Sequence, residues 1–234
     1  MLLSSGILLG LHFATWITSL QHTSVVSSVV LVTTTPLWIG LASPLVLKEP
    51  TPRATWLGIA LAIIGGSIIG LSGWSGWGGT TRGNLLALAG AVFGAGYLMI
   101  GRGARARLRL IAYLWLVYGT AAALLLGWAI AAGLPLTGYS PRAVGLMITL
   151  GLVPQLIGHS AANYALRYHS ETFVGVTILG EPIGSTLLAA LLLDEWPTGL
   201  QIAGGALILA GILLASLAEE RHRAKASAAL EPTK

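Results

Sequence analysis

The chain has 234 residues, a formal net charge of +5, 55% hydrophobic residues and only 9% charged residues. Soluble domains carry about 25% charged residues, so the composition excludes an ordinary soluble domain and indicates a membrane protein. The sequence has no cysteine, which excludes disulfides and thiolate metal sites, and its basic residues lie in short loops between apolar runs, so we expect no nucleic-acid partner.

Eight apolar segments follow one another, each near the ~20 residues that a helix needs to cross ~30 Å of hydrocarbon. No alternating ten-residue pattern indicates a barrel, and an open strand in lipid would leave backbone groups unpaired. We therefore predict an all-α integral membrane protein, a polytopic helical bundle with eight transmembrane helices. The predicted spans are residues 2–20, 25–47, 54–72, 84–101, 109–132, 142–166, 172–193 and 198–217.

The first span carries His12 and Trp16 four residues apart, on one helix face. One interpretation is an aromatic pocket wall for an amphipathic substrate, and the other is ordinary helix packing. Three later tyrosines are weaker candidates for a pocket wall, because tyrosines are common at membrane interfaces whatever the function. These are Tyr97, Tyr113 and Tyr118.

The second span contains Pro36 directly after three threonines, whose hydroxyls can bond backbone carbonyls and shape a bend. We interpret Pro36, and Pro182 in the seventh span, as hinges that let half a helix move; static kinks are the alternative. Glycines spaced by four predict faces where helices pack closely. The pairs are Gly6/Gly10, Gly66/Gly70, Gly90/Gly94 and Gly180/Gly184.

Four arginines form a basic segment between the fourth and fifth spans: Arg102, Arg105, Arg107 and Arg109. We interpret this segment as a topology signal that contacts anionic lipid headgroups. If the chain starts in the cytoplasm, eleven basic residues lie on the cytoplasmic side and two, Arg82 and Arg142, lie outside. This positive-inside bias predicts a cytoplasmic C-terminus.

The sixth span carries Gln155, His159 and Asn163 at intervals of four, which places them on one helix face. They predict either a polar wall of a substrate cavity or hydrogen bonds between helices. One histidine with two amides is a poor ligand set, so we expect no metal and no cofactor.

The seventh span contains Glu181, the only charged residue deep in a predicted span. A carboxylate there costs at least ~2.5–3.5 kcal/mol, so an intramembrane acid is a site hypothesis by default. We interpret Glu181 as a substrate ligand or protonatable group. The alternative is a neutral carboxyl bonded to the carbonyl of residue 178, which Pro182 leaves without a donor.

The sequence also repeats itself at a constant offset of 146 residues, as in Pro36 and Pro182. Thirteen of 61 positions match between residues 11–71 and 157–217. The copies are separated by an odd number of spans, so we predict inverted-topology repeats, a common basis for alternating access. The matching pairs include Leu20/Leu166, Ser24/Ser170, Glu49/Glu195, Gly58/Gly204 and Gly65/Gly211.

The repeat divides the chain into residues 1–75, a partial first repeat, residues 82–218, a complete second repeat of five helices, and residues 219–234, a polar tail that we expect to be disordered and cytoplasmic. The fourth and fifth spans have no equivalents in the first repeat. We therefore expect the chain to correspond to a ten-helix protein without its first two helices.

These features resemble the EamA-type members of the drug/metabolite transporter superfamily. A small-polar turn, a proline-containing helix, a loop with glutamate and a glycine-studded helix occur in that order in each copy, as Thr23-Ser24, Pro36 and Glu49, and as His169-Ser170, Pro182 and Glu195. The resemblance implies a multi-pass transporter of the bacterial inner membrane. It covers nearly the whole chain and does not specify a substrate.

We therefore expect an exporter of a small organic metabolite, such as an amino acid or drug-like solute, that works by alternating access and is not an enzyme. Its expected partners are the solute and membrane lipids; proton coupling and a homo-oligomer are left open. The competing hypotheses are a transport-inactive scaffold or partner subunit, and a membrane enzyme that uses His159 and Glu181 as acid and base.

Overall fold

A computed structural model describes residues 2–23, 28, 31–46, 51–72, 81–180, 183–184, 187–188, 191 and 196–228. Within these residues the protein is all helical and has no strand, which confirms the predicted all-α membrane fold. The elements are α1 (Leu2–Ser19), α2 (Thr35–Val46), α3 (Arg53–Ser72), α4 (Thr81–Arg105), α5 (Leu110–Ala131), α6 (Pro141–Leu150), the π-helix π1 (Gly151–His159), α7 (Ser160–Ala165), α8 (Glu171–Ile178) and α9 (Gly199–Ala228).

Among the described residues, four continuous helical stretches are long and apolar enough to cross a membrane. They are Leu2–Ser19, Thr81–Arg105, Leu110–Ala131 and Pro141–Ala165. The sixth predicted span is thus one continuous rod, but its middle is wound as a π-helix around Pro154. Proline removes a backbone donor and clashes with the preceding turn, and π-helical turns are frequent at functional sites.

The start of α2 agrees with the predicted bend at the threonines. Thr34 Oγ1 donates to Leu31 O at 2.6 Å, and Thr35 Oγ1 donates to Val32 O at 2.8 Å. The helical turn at residues 31–32 stops there, and α2 begins at Thr35 with Pro36 as its second residue. Hydroxyls that bond preceding carbonyls bend a helix, so Thr34 and Thr35 shape this junction.

The helix α1 packs against both α4 and α5, with glycines at the closest points. A Cβ atom on Gly6 would lie 2.5 Å from Thr120 Cβ, and one on Gly10 would lie 2.8 Å from Leu124 Cδ2. On the other side, a Cβ on Gly94 of α4 would lie 3.0 Å from His12 Nδ1. Small residues let membrane helices approach closely, so the predicted packing role of these glycines is confirmed.

The helices α3 and α9 pack through glycines that the repeat itself relates. A Cβ on Gly58 would lie 2.6 Å from Gly211 O, and a Cβ on Gly65 would collide with Gly204 O. Adding 146 to Gly58 gives Gly204, and subtracting 146 from Gly211 gives Gly65, so each contact maps onto the other. This self-matching contact is what a two-fold axis between inverted repeats produces.

Two expectations about this pair are wrong. A Cβ on Gly66 would have nothing within 4 Å among the described residues, so Gly65, not Gly66, forms the close contact. The predicted disordered segment after Ala218 is helical as far as Ala228, because α9 runs on. Alanine, glutamate, arginine and lysine are strong helix formers, and they dominate this stretch.

Candidate functional site

Rings from three elements form a cluster beside the end of π1. His159, the last residue of π1, has its ring centroid 5.4 Å from Phe13 and 6.4 Å from His12, both on α1. Its centroid lies 6.0 Å from that of Tyr97 on α4, and His12 and Trp16 are 5.8 Å apart. We call these five residues, together with Asn163, the ring cluster.

The backbone of α4 fixes the His12 ring. His12 Nδ1 lies 2.8 Å from Gly90 O, and because a carbonyl can only accept, Nδ1 carries the proton and donates. Both neighbouring positions on this face, Gly90 and Gly94, lack side chains. Thr35 Oγ1 approaches the same strip of backbone and lies 3.4 Å from Ala91 O. The close approach of α1 and α2 to α4 therefore depends on glycine.

Asn163 on α7, one helical turn after His159, forms hydrogen bonds within the ring cluster. It is fully buried, and its Nδ2 donates to Tyr97 OH and, at 2.6 Å, to His159 O. Tyr118 of α5 stands beside this region, with its hydroxyl 3.4 Å from Gln155 O and 3.2 Å from Ser160 Oγ. Amide and phenol groups thus link α4, α5 and the π1–α7 rod.

Several buried polar atoms in this region have no hydrogen-bond partner within the described part of the chain. A buried polar group without a partner costs about 1–3 kcal/mol, so such atoms mark places where a water or ligand binds. Together they offer an indole donor, two amide acceptors and a ring nitrogen. They are Trp16 Nε1, Gln155 Oε1, His159 Nδ1 and Asn163 Oδ1.

The structure brings four of the predicted site residues into one cluster: His12, Trp16, His159 and Asn163. Gln155 lies one turn of π1 away from His159, with a buried and unpartnered side-chain oxygen. Glu181 and Pro182 lie outside the described residues, so their predicted roles stay predictions. Pro36 is buried in the first turn of α2, and its hinge role also stays a prediction.

The sequence interpretation missed Phe13, gave Thr35 only a structural role beside Pro36, and undervalued Tyr97. The repeat offered the missing signal, because Thr35 is the equivalent of Glu181 and Phe13 is the equivalent of His159 at the 146-residue offset. Tyr97 is buried inside the bundle. The side chain faces the bundle, where Asn163 bonds its hydroxyl.

Two of the four arginines of the basic segment also correct the sequence interpretation. Arg102 and Arg105 belong to the last turn of α4 and point into the protein. Arg105 is 1% exposed, and its Nε donates to Asn163 O at 3.0 Å. Arg102 Nε lies 3.3 Å from Glu171 Oε2, where Glu171 is 1% exposed and also accepts a hydrogen bond from Ser43 Oγ. Protein groups thus bind both arginines, and the burial of Arg105 makes its predicted contact with lipid headgroups wrong.

The comparisons with known proteins agree with this architecture. The chain is 28% identical over 222 residues to a protein named pseudopaline exporter CntI from Pseudomonas aeruginosa (strain UCBPP-PA14), covering 92% of this chain and 74% of the relative. A solved structure titled "Crystal structure of protein" matches with a TM-score of 0.78 at 24% identity, covering 94% of this chain and 76% of that one, and supports the fold alone. The EamA-like transporter family matches residues 1–71 and 81–217, nearly the whole chain, and the protein belongs to that family.

Proposed function

We propose that this membrane transporter exports a small organic metabolite by alternating access and binds it at the ring cluster. The observation that carries the proposal is the contact between Phe13 and His159. These residues occupy the same position in the two repeats, and their rings are 5.4 Å apart. Two equivalent positions touch only near the axis that relates them, and transporters of this kind bind substrates where the repeats meet.

The chemistry of the ring cluster supports a polar solute with an apolar part. The rings of Phe13, Trp16 and Tyr97 offer apolar faces, while the unpartnered atoms of Trp16, Asn163 and His159 offer hydrogen bonds. Such buried polar atoms fix the orientation of a ligand in an otherwise apolar site. The relative is named a pseudopaline exporter, which supports export as the direction of transport.

The orientation of the protein is part of the proposal. Most of the basic residues lie at one end of the bundle, which contains Arg102 and the C-terminal end of α9. We assign this end to the cytoplasm. Single cysteines can test this cleanly, because the chain has none of its own. A Thr137→Cys variant is expected to react with a membrane-impermeant maleimide from outside, and an Arg107→Cys variant only from the cytoplasmic side. The reverse pattern would invert the assignment.

Comparison of culture media tests export itself. Cells that express the protein are expected to enrich the medium in at least one small organic solute over cells that express a His159→Phe variant, which keeps a ring but removes its nitrogens. Leu156→Ala is the matched control, because Leu156 lies on the same π1 turn and is 51% exposed. The proposal would be contradicted if the media of all three strains contained the same concentrations of small organic solutes at equal protein levels.

The scaffold hypothesis keeps one specific observation in its favour. Within the described part of the chain, α6 and π1 have no buried residue, and His159 at the end of π1 makes the ring contacts described above. A partner subunit could pack there. Flux by the protein alone in liposomes would leave the scaffold hypothesis without support.

A further inference from the structure

Three polar side chains from three helices meet at one end of the bundle. Glu171 begins α8, Arg102 lies in the last turn of α4, and Ser43 lies near the end of α2. Arg102 Nε is 3.3 Å from Glu171 Oε2, and Ser43 Oγ donates to Glu171 Oε1. Arg102 also donates from Nη1 to His169 O at 2.5 Å. We call Ser43, Arg102 and Glu171 the polar lock.

The polar lock joins the two repeats. Ser43 belongs to the first repeat, whereas Arg102 and Glu171 belong to the second, so the hydrogen bond from Ser43 crosses between them. The same two helices touch one turn deeper, where a Cβ on Gly175 of α8 would lie 2.9 Å from Ile39 Cδ1 of α2. Separating the repeats at this end therefore breaks the polar lock.

Burial makes the polar lock sensitive to its surroundings. Glu171 is 1% exposed, whereas the Arg102 side chain is 27% exposed. A buried carboxylate requires both a charge partner and hydrogen bonds, and breaking such a pair leaves an uncompensated buried charge. The start of α8 adds a favourable helix dipole for an acidic residue in the first turn. The Glu171 carboxylate is therefore stable in the closed arrangement, where Arg102 and Ser43 contact it, and in an open arrangement, where water hydrates it. It is unstable in an intermediate arrangement that has lost these contacts while the carboxylate is still buried.

The repeat-equivalent positions at the opposite end cannot form the same set of contacts. Adding 146 to Ser43 gives Ala189, and subtracting 146 from Glu171 gives Val25. Neither an alanine nor a valine side chain can form an ion pair or a hydrogen bond. If the repeats exchange roles as the two ends open in turn, the free energies of the two closed ends differ by the contribution of the polar lock.

We propose that the polar lock is a one-sided gate, which holds the Arg102 end closed and biases the transporter toward the state that is shut at this end. The proposal rests on the proposed alternating access. It assigns Glu171 as the residue that sets the bias, Arg102 as its charge partner, and Ser43 as the link to the first repeat. Arg105 has a different role, because its guanidinium bonds the carbonyls of Asn163 and Leu108.

The test measures water access one turn below the polar lock. Leu98→Cys places a single thiol at a buried position on the same face of α4 as Arg102. Ala87→Cys places another near the opposite end of α4, at a position that is also buried. Each reporter is combined with Glu171→Gln, with Glu171→Asp, or with Arg107→Gln, an exposed arginine of the same segment that serves as the matched control. Labelling by a water-soluble maleimide is followed in liposomes.

We expect Glu171→Gln to raise the labelling rate at Leu98→Cys several-fold and to lower the rate at Ala87→Cys, because the two ends open in turn. Glu171→Asp keeps the charge and is expected to stay close to the wild type, as is Arg107→Gln. Unchanged labelling at Leu98→Cys would overturn the gate, and so would a rise at both reporters, which indicates general loosening. Labelling needs no solute, so its result is independent of flux. Absence of flux would contradict the proposed function, whereas the labelling rates would still test the gate.

Discussion

The repeat relates α1 to the rod made of α6, π1 and α7, yet these two helical segments have different surroundings. Gly6 and Gly10 of α1 lie in close contact with α5. Their equivalents at the 146-residue offset are Leu152 and Leu156, and each is 51% exposed. One copy is a packed helix with small residues at its interface, and the other presents leucines outward.

The glycine contact between α3 and α9 is symmetric, in contrast to this pair. Both of its partners have an equivalent in the chain, and the contact repeats itself. The neighbours of α1 are α4 and α5, and subtracting 146 from their positions gives numbers below one. The symmetric contact is therefore one in which both copies of each partner lie within the sequence, and the expectation that the chain corresponds to a ten-helix protein without its first two helices stays a prediction.

The largest loss of stability is expected when a glycine of α1 is replaced by the leucine that occupies its equivalent position in the rod. Gly6→Leu forces a side chain into Thr120 and the backbone of Val117, where even a Cβ would lie 2.5–2.7 Å away. We expect a loss of stability of roughly 1–3 kcal/mol or more, typical of overpacking, and a clear fall in thermal unfolding temperature in detergent. The repeat-matched control Leu152→Ala is expected to change stability by less than ~0.5 kcal/mol, as for exposed positions. Equal effects would mean that the two surroundings do not differ.

The symmetric contact between α3 and α9 is expected to give the next largest effect. Gly65→Ala places a methyl group against Gly204 O and should lower stability by roughly 1–3 kcal/mol. The adjacent Gly66→Ala is the control, because its Cβ has nothing within 4 Å in the described part of the chain, and alanine is the better helix former. Chemical denaturation in mixed micelles measures both. A larger loss at Gly66 would argue against the packing of α3 on α9.

A smaller difference is expected between α1 and the rod in how accessible a spin label is to oxygen in the bilayer. A spin label at Leu152→Cys is expected to collide freely with oxygen dissolved in the bilayer, whereas one at Leu9→Cys, which is fully buried, is expected to be shielded. Dilution of the labelled chain into excess lipid distinguishes a lone protein from an oligomer. Shielding at Leu152 that disappears on dilution would mean that a second copy covers the rod.

The spans could be predicted from the sequence because their length and apolar composition are set by the bilayer, whatever the neighbours are. The same reasoning missed Glu171, which looked like a loop residue beside the span of residues 172–193. Its burial depends on Arg102 and Ser43, which are distant in sequence and have no local pattern. The π-helical winding around Pro154 was equally hidden, since the polar residues at 155, 159 and 163 fit an α-helical face.

The ring cluster was only half predictable for a related reason. His12, Trp16, His159 and Asn163 stood out because polar or large aromatic residues are unusual in apolar spans. Phe13 did not stand out, since a phenylalanine in a membrane helix is ordinary, and Tyr97 was only a weak candidate, since tyrosines are common at membrane interfaces. Only the repeat arithmetic, which pairs Phe13 with His159, could have indicated that α1 faces the sixth span.

Efflux from liposomes tests the central claim most directly, namely that the ring cluster at the repeat axis carries transport. The purified chain is reconstituted with a defined mixture of amino acids and small organic acids inside, and Trp16→Phe is compared with the wild type. The variant keeps an aromatic ring and removes the unpartnered indole donor, and the loss of one hydrogen bond of about 0.5–1.5 kcal/mol corresponds to a fall in efflux of up to roughly tenfold. We predict efflux of at least one solute by the wild type and a clear reduction by Trp16→Phe. Efflux no faster than from protein-free liposomes, or equal rates for both proteins, would contradict the account.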